Sequence, residues 1–167
     1  TKIVVMRDGI IQQVDTPTNL FDYPNNQFVA GFIGTPQMNV LDATWVANDK
    51  DVTITFLNGE TLTYKTNELR KINDNYLDGN EHNVIVSVRG EHVEISDKGL
   101  TGVVQFNEIL GSNTHVSVSI KGYENDFVIC LKDRTEYPLE EEIKFTVPEN
   151  KIYLFDKETE LSIIEKE

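Results

Sequence analysis

The chain has 167 residues and carries 28 acidic against 15 basic side chains, a formal net charge of −13. Such an acidic surface repels phosphate backbones and anionic lipid headgroups, which disfavours binding to nucleic acid or to an acidic membrane. No apolar run is long enough to span a bilayer, and no signal peptide is visible. The single cysteine, Cys130, cannot form an internal disulfide, and its apolar neighbours favour a buried structural thiol in a cytosolic protein.

The chain opens on two apolar stretches, 3–6 and 10–11, which are separated by Asp8-Gly9. An Asp-Gly pair between apolar strands favours a two-residue hairpin turn, because both central positions need a positive φ. Thr16-Pro17 then predicts the N-cap and first position of a short helix that ends near Tyr23. The abrupt start inside a strand indicates that more of the protein precedes Thr1.

A second short helix is predicted by four apolar residues that recur on one helical face: Phe28, Val29, Phe32 and Ile33. Asn25 and Asn26 can cap this helix, while Gly34 and the Thr35-Pro36 pair end it. Taken alone, these features also fit an ordinary amphipathic helix between two loops.

From Leu41 onward, apolar and polar residues alternate with a period of two, as in half-buried strands. Strands are expected over 52–56, 61–64, 83–89, 102–110, 114–120, 127–131, 142–147 and 151–155. Asn58-Gly59 and Lys121-Gly122 indicate hairpin turns, and one short helix is expected at 67–73. This spacing predicts a mainly β fold: a small antiparallel OB-like barrel, or a pair of barrel-like lobes, after a hairpin and two short helices.

Residues 20–39, LFDYPNNQFVAGFIGTPQMN, resemble the last segment of the ATP-hydrolysing domain in sugar-importing ABC transporters of the maltose and multiple-sugar type. VRGEHV at 88–93 resembles the arginine-proline-glutamate-histidine signature of the regulatory domain that follows in that family. EILGSNTHV at 108–116 resembles its leucine-glycine turn, and KIYLFDKET at 151–159 resembles its closing strand and turn. The stretches occur in the family's order and span most of the chain.

Two positions depart from the family's pattern. Gly90 stands where the family usually has proline, which is expected to loosen the backbone before Glu91 and His92. Tyr153 stands where a histidine is common, so any role of that imidazole does not carry over. Region 41–80 matches in general character only, and no residue roles transfer there.

The resemblance implies that residues 1–39 form the C-terminal tail of an ABC ATPase domain and 40–167 form a regulatory domain of the TOBE type. Such a domain is a non-catalytic module that pairs with its own copy, tethers two ATPase domains and offers a docking surface to regulators of sugar status. The intact protein would bind Mg-ATP and join transmembrane permease subunits at the cytoplasmic face of the membrane.

The resemblance also assigns residues to these roles. The helix face would pack on the ATPase domain through four side chains: Phe28, Val29, Phe32 and Ile33. Without that domain, these side chains would be partly exposed or covered by a neighbouring chain. The regulatory motif or an interaction would be carried by Arg89, Glu91, His92 and Gly111.

The sequence provides no phosphate-binding loop for ATP hydrolysis. No glycine-rich stretch ends in Gly-Lys-Ser or Gly-Lys-Thr, whose amides, lysine and hydroxyl hold phosphates and magnesium. Asp8 follows an apolar run, but it belongs to the hairpin turn and not to a Walker-B motif. The family's signature loop and switch histidine would lie upstream of Thr1. We therefore expect no catalytic or nucleotide-binding residue, and no cofactor, in this chain.

The histidines do not predict a metal site, since His82, His92 and His115 show no local ligand spacing. Glu91 and His92 are neighbours on an expected strand and would face opposite ways, which argues against an acid–base pair. Arg89 and Glu91 would share one face of that strand, which favours a surface ion pair or a contact to a partner.

A second hypothesis is a module that senses a small oxyanion. In related small barrels of transport ATPases this region lines a molybdate pocket, and Ser112, Asn113 and Thr114 offer neutral donors beside the turn at Gly111. The acidic surface and the resemblance to sugar importers count against it. A nucleic-acid-binding barrel is a third candidate, which the charge and the shortage of interleaved basic and aromatic residues oppose.

Overall fold

The structure is a computed structural model that describes residues 1–34 and 36–167. Thr35, one of the residues predicted to end the second helix, lies outside them. The N-terminal segment consists of β1 (Ile3–Arg7), β2 (Ile10–Asp15), α1 (Pro17–Asp22) and α2 (Gln27–Phe32). The strands that follow are β3 (Asn39–Ala47), β4 (Asp51–Phe56), β5 (Thr61–Lys65), β6 (Glu81–Val88), β7 (Glu94–Ser96), β8 (Leu100–Leu110), β9 (Asn113–Ser119), β10 (Phe127–Leu131), β11 (Glu142–Thr146) and β12 (Tyr153–Asp156). We call these ten strands, with the turns between them and the C-terminal residues, the β domain.

The predicted hairpin at the start of the chain is confirmed. Asp8 and Gly9 have φ values of 50° and 79°, as a two-residue turn between β1 and β2 requires. One face of the hairpin turns inward, where Val5 is buried against Leu20 and Val29 of the two helices. This small cluster is the core of the N-terminal segment.

Both helices begin where the sequence predicts. The side chains of Thr16 and Asn26 cap them by accepting hydrogen bonds from the backbone N–H groups of Asn19 and Val29, at 3.2 and 2.9 Å. The second helix ends one residue before Ile33, which has an extended backbone. No helix in the described ranges is long and apolar enough to cross a membrane.

Two five-stranded antiparallel sheets form the body of the β domain. Their strand orders are β10-β9-β8-β11-β7 and β12-β6-β3-β4-β5. Apolar side chains from both sheets share one core, in which Trp45, Phe127 and Phe145 are almost completely buried. The predicted mainly β fold is confirmed, although the described strands form two open sheets and do not close into a barrel.

The helix expected at 67–73 is wrong. A short 3₁₀ turn at Thr66–Glu68 overlaps only the start of this stretch, and another at Asp74–Tyr76 follows it. Leu69 and Ile72 are buried, and Ile72 pairs with Ile164 near the end of the chain. Pairing with a segment distant in sequence therefore overrides a weak local helical preference.

Asn39, the last residue of the expected first domain, is the first residue of β3 and connects the two sheets. Its side-chain amide donates to the carbonyls of Val88 and Val128, at 3.2 and 2.9 Å, and accepts from the N–H of Val128 at 2.7 Å. Gly90 approaches β10 so closely that an added Cβ would lie 2.5 Å from the carbonyl oxygen of Val128. Close backbone packing at Gly90 is a role that the sequence did not indicate.

Glu60, in the turn between β4 and β5, forms a second connection between the sheets. Its carboxylate accepts hydrogen bonds from the N–H and the hydroxyl of Thr101, both at 2.7 Å, and from the Asn58 amide at 2.6 Å. Burial raises the pKa of Glu60, but the hydrogen bonds from Thr101 and Asn58 outweigh it, so the pKa lies below its ordinary value.

We expect Glu60→Gln to lower the free energy of unfolding by about 1 kcal/mol at neutral pH, because it weakens charge-assisted hydrogen bonds between the sheets. The folded pKa of Glu60 lies below its ordinary value of 4.5. The stabilisation is therefore present above pH 4.5 and is lost as the pH falls through the folded pKa. Urea denaturation from neutral to acidic pH measures it, with the exposed Glu124→Gln as control. A difference between wild type and Glu60→Gln that is constant with pH would contradict this role.

Candidate functional site

The C-terminal ends of α1 and α2 rest on side chains of the β domain. Three donors reach the last carbonyls of the two helices: Tyr153 Oη to Phe21 at 2.8 Å, Arg89 Nη1 to Ile33 at 3.0 Å, and Arg70 Nη1 to Asp22. These carbonyls have no partner within their helices and carry partial negative charge, which suits cationic donors. We call Arg70, Arg89 and Tyr153 the capping residues.

The capping residues also stack on aromatic rings. The guanidinium carbon of Arg89 lies 3.7 Å from the centroid of the Phe21 ring and 5.5 Å from that of Tyr153. The guanidinium carbon of Arg70 lies 4.7 Å from the same Tyr153 centroid. Tyr153 is therefore within cation–π distance of both arginines, and Arg89, only 4% exposed, is held by ring faces and one carbonyl.

The C-terminal residues bind the N-terminal segment from another side. The backbone N–H of Gln27 donates to the carbonyl of Glu160 at 3.0 Å, and the N–H of Ser162 donates to Asn25 at 2.9 Å. The same stretch pairs with Phe155 of β12 through Ser162. The N-terminal segment is thus joined to the β domain by backbone hydrogen bonds as well as by the capping residues.

Positive charge collects around the turn at Gly90–His92. Burial, and then the positive charge of Lys151, lowers the pKa of His92, and Arg89 and Lys132 act in the same direction. Glu91 opposes them, with a carboxylate oxygen 4.0 Å from His92 Nε2. Three cations therefore lie close enough to His92 to act on its pKa, although the chain as a whole is strongly acidic.

The predicted helix face is largely used within the chain itself. Val29 is completely buried, and Phe28 and Ile33 pack against its cluster, because the hairpin folds back over the helices. Phe32 is 64% exposed. The expected exposure is therefore wrong for Val29, and Phe32 is the member that presents most of its surface. Packing of this face on an ATPase domain stays a prediction.

The structure separates the residues of the 88–93 motif. Strand β6 ends at Val88, and the chain then turns, so Arg89 and Glu91 do not share a strand face. Arg89 points inward and Glu91 is exposed, and no ion pair joins them among the described residues. The expected surface ion pair is wrong because the strand ends at Val88, so the alternation of side chains between its two faces does not continue to Arg89 and Glu91.

The β8–β9 turn does not assemble the proposed oxyanion donors. Gly111 has a φ of 65°, which fits the turn expected there. Ser112 and Asn113 are exposed, whereas Thr114 is fully buried with its hydroxyl unpartnered. The three side chains are therefore not presented together to solvent.

The other titratable side chains considered in the sequence do not come together in one site. Within residues 1–34 and 36–167, no group of three His, Cys, Asp or Glu side chains lies close enough to hold a metal ion. His82 lies 2.9 Å from Asp78, and this hydrogen bond lowers the pKa of Asp78 to about 2. Cys130 is half-buried, and burial raises the pKa of its thiol.

Sequence reasoning missed the partnership of the capping residues. The sequence pattern indicates no role for Arg70 or Phe21, and it marks Tyr153 only as a departure from a family pattern. The one local signal was an arginine directly after the apolar strand residues 84–88, where burial of a cation is unusual. Its partners lie more than fifty residues away in sequence, so no local pattern could identify them.

We expect Tyr153→Phe to lower the free energy of unfolding by about 1 kcal/mol, since it leaves the Phe21 carbonyl without its donor. Tyr137→Phe is the matched control, because the Tyr137 hydroxyl makes no hydrogen bond within the described residues. Chemical denaturation of the two variants and the wild type measures both effects. Equal stability of all three would show that the Tyr153 hydrogen bond does not stabilise the fold.

Relatives match nearly the whole chain. It is 34% identical over 165 residues to the ABC transporter ATP-binding protein y4oS of Sinorhizobium fredii, covering 95% of this chain and 40% of that protein. It is 30% identical to the maltose/maltodextrin import ATP-binding protein MalK of Vibrio cholerae, and the match covers 92% of this chain and 40% of that protein. It is 29% identical to the oligosaccharides import ATP-binding protein MsmX of Bacillus subtilis, and the match covers 98% of this chain and 44% of that protein. The chain thus spans about two fifths of these relatives' length, and no protein-family model matches it.

The fold resembles a solved structure of the cytoplasmic molybdate-binding protein ModG. The TM-score is 0.51 at 17% sequence identity, covering 70% of this chain and 94% of that one. At that identity the likeness supports an OB-type fold and nothing about ligands. By its sequence relatives, the chain corresponds to the C-terminal part of ABC transporter ATP-binding proteins.

Proposed function

We propose that this chain is the regulatory and self-association module of the ATP-binding subunit of a carbohydrate importer. Residues 1–39 are then the tail of the ATP-binding domain, and 40–167 the regulatory domain. Two of the relatives are named for import of maltose/maltodextrin and of oligosaccharides, which supports a carbohydrate substrate. Mg-ATP and the permease subunits would bind the part of the protein outside this chain, and a regulator of sugar status would bind the β domain.

The observation that carries this proposal is the two-faced hairpin. The inward face is buried in the chain, while the opposite face exposes two cross-strand apolar pairs, Val4 with Val14 and Met6 with Ile11. Exposed Phe32 adds to the apolar surface of this segment. A contiguous apolar face on a soluble protein marks a surface that another protein body covers. The relatives extend well beyond the matched part and can supply that body.

A second apolar surface lies on the β domain, at the outer half of β8. Phe106 and Leu110 lie on one face of the strand and are exposed there, whereas Ile109 and Asn107 lie on the other face. Phe106 and Leu110 form what we call the β8 patch. Strand β11 pairs with β8 only as far as Val103, so this half of β8 is paired with β9 alone. We assign this β8 patch to contact with a second copy of the chain.

Pairing through the β domain would have a direct physical consequence. A permanent contact at one end makes each closure of the two ATPase domains an intramolecular event, which raises their effective concentration. A regulator that binds near the β8 patch could then hold the two copies in a non-productive arrangement without touching the nucleotide.

We expect the chain to sediment as a dimer, and Phe106→Asp to sediment as a monomer, because the variant buries a charge in the proposed contact. Met6→Asp is the matched control: it places the same charge on the hairpin face and leaves the dimer intact. Sedimentation velocity at several concentrations measures all three.

A monomeric wild type, or a dimer that Met6→Asp disrupts and Phe106→Asp does not, would refute the assignment of the β8 patch. Thermal unfolding with added molybdate tests the oxyanion alternative in the same samples. A concentration-dependent rise in melting temperature with molybdate would favour that alternative, since only a ligand of the folded state stabilises it.

A further inference from the structure

Four cations near the ends of α1 and α2 have no carboxylate partner. The described residues form six ion pairs, and none of them includes Arg70, Arg89, Lys132 or Lys151. All four lie in the region of His92, the capping residues and β12. In a chain with 28 acidic residues, a group of four cations that form no ion pair is unexpected.

The same region holds most of the buried polar atoms that lack a partner. Six such side-chain atoms occur among the described residues, and four of them are nitrogens of this group: Nε of Arg70, Nε and Nη2 of Arg89, and Nδ1 of His92. A fifth is the hydroxyl of Ser87, which pairs in register with Tyr153. Buried donors without acceptors are costly, so their concentration in one place indicates a missing acceptor.

A cavity of about 300 Å³ opens beside these donors. Its lining combines the polar side chains of Arg70, His92, Asn150 and Lys151 with the rings of Tyr23 and Tyr153. Phe21 forms a wall shared with a second cavity of about 210 Å³, which Arg89 and Glu91 line. Asp22 is the one carboxylate in the larger lining, and its own backbone carbonyl is already bonded to Arg70.

The charge of the lining selects the ligand class. Water can accept hydrogen bonds from these donors but cannot neutralise the cations that surround them. A phosphate monoester carries between one and two negative charges at neutral pH and three strong acceptor oxygens. Arginine and lysine are the side chains that bind such groups most often, arginine through its fork of N–H donors.

We propose that the cavity between the end of α1 and the Gly90–His92 turn binds the phosphoryl group of a small metabolite. Lys151, Arg70 and His92 would donate to it, and Arg89, stacked on Phe21, would add positive charge behind that ring. The remaining volume would hold the rest of the metabolite against Tyr23 and Tyr153. This site is independent of self-association and of the proposed role in an importer.

Isothermal titration calorimetry of the 167-residue chain tests the site. The probes are inorganic phosphate, glucose 6-phosphate, unphosphorylated glucose and citrate. We expect saturable binding of phosphate and tighter binding of glucose 6-phosphate, with none for glucose. The central variant is Lys151→Glu, which changes an exposed side chain and is expected to preserve the fold. The matched control is Lys121→Glu, which is also exposed but does not line the cavity.

Lys151→Glu is expected to weaken phosphate binding by roughly tenfold or more, whereas Lys121→Glu leaves it unchanged. Circular dichroism checks that both variants are folded. If Lys151→Glu is not folded, Lys151→Met replaces it and is expected to give an intermediate loss of binding. Equal weakening by the two charge reversals would reveal unspecific attraction and overturn the proposal. Binding of citrate in preference to both phosphate compounds would overturn the phosphoryl assignment, and absence of saturable heat with phosphate would overturn the site.

Discussion

The structure depends on the hydrogen bonds that the carbonyls at the ends of two very short helices accept. Each helix has six residues, too few to be stable alone, and its final carbonyls have no partners of their own. Arg70, Arg89 and Tyr153 reach across from the β domain and donate to them. This contact fixes where the hairpin lies, which of its faces is covered, and the shape of the cavity beside the helix ends.

The contact is made by cations on aromatic rings and carbonyls, without a carboxylate. Burying a guanidinium with part of its donors unpaired costs free energy, and the faces of Phe21 and Tyr153 offset only some of it. Guanidinium donors that no carboxylate occupies can still bind an anion, whereas donors in an ion pair cannot. Net charge therefore describes the average surface of this chain, while the cations near His92 are brought together by the fold.

The same contact bears on the proposed regulatory role. Backbone carbonyls of α1 and of the end of α2 accept hydrogen bonds from side chains of the β domain, and the C-terminal residues pair with Asn25 and Gln27. A displacement of the β domain would therefore be passed to the hairpin through hydrogen bonds, not through a flexible linker. A metabolite at the helix ends, or a second copy at the β8 patch, would act on the exposed apolar face of the hairpin by this route.

The sequence by itself determined the features that rest on neighbouring residues. The Asp8-Gly9 turn, the caps at Thr16 and Asn26 and the period-two strands are local signals, since they depend on φ preferences, side-chain reach and alternation. The local pattern predicts neither the structure of 67–73 nor the inward orientation of Arg89, because pairing with Ile164 and the turn at Gly90 decide them. Tertiary structure alone decided that Val29 is buried, that Glu60 and Asn39 join the sheets, and that two unpaired cations, Arg70 and Lys151, line one cavity. These contacts link residues tens of positions apart, and their free energy comes from burial and hydrogen bonding that no short window of sequence contains.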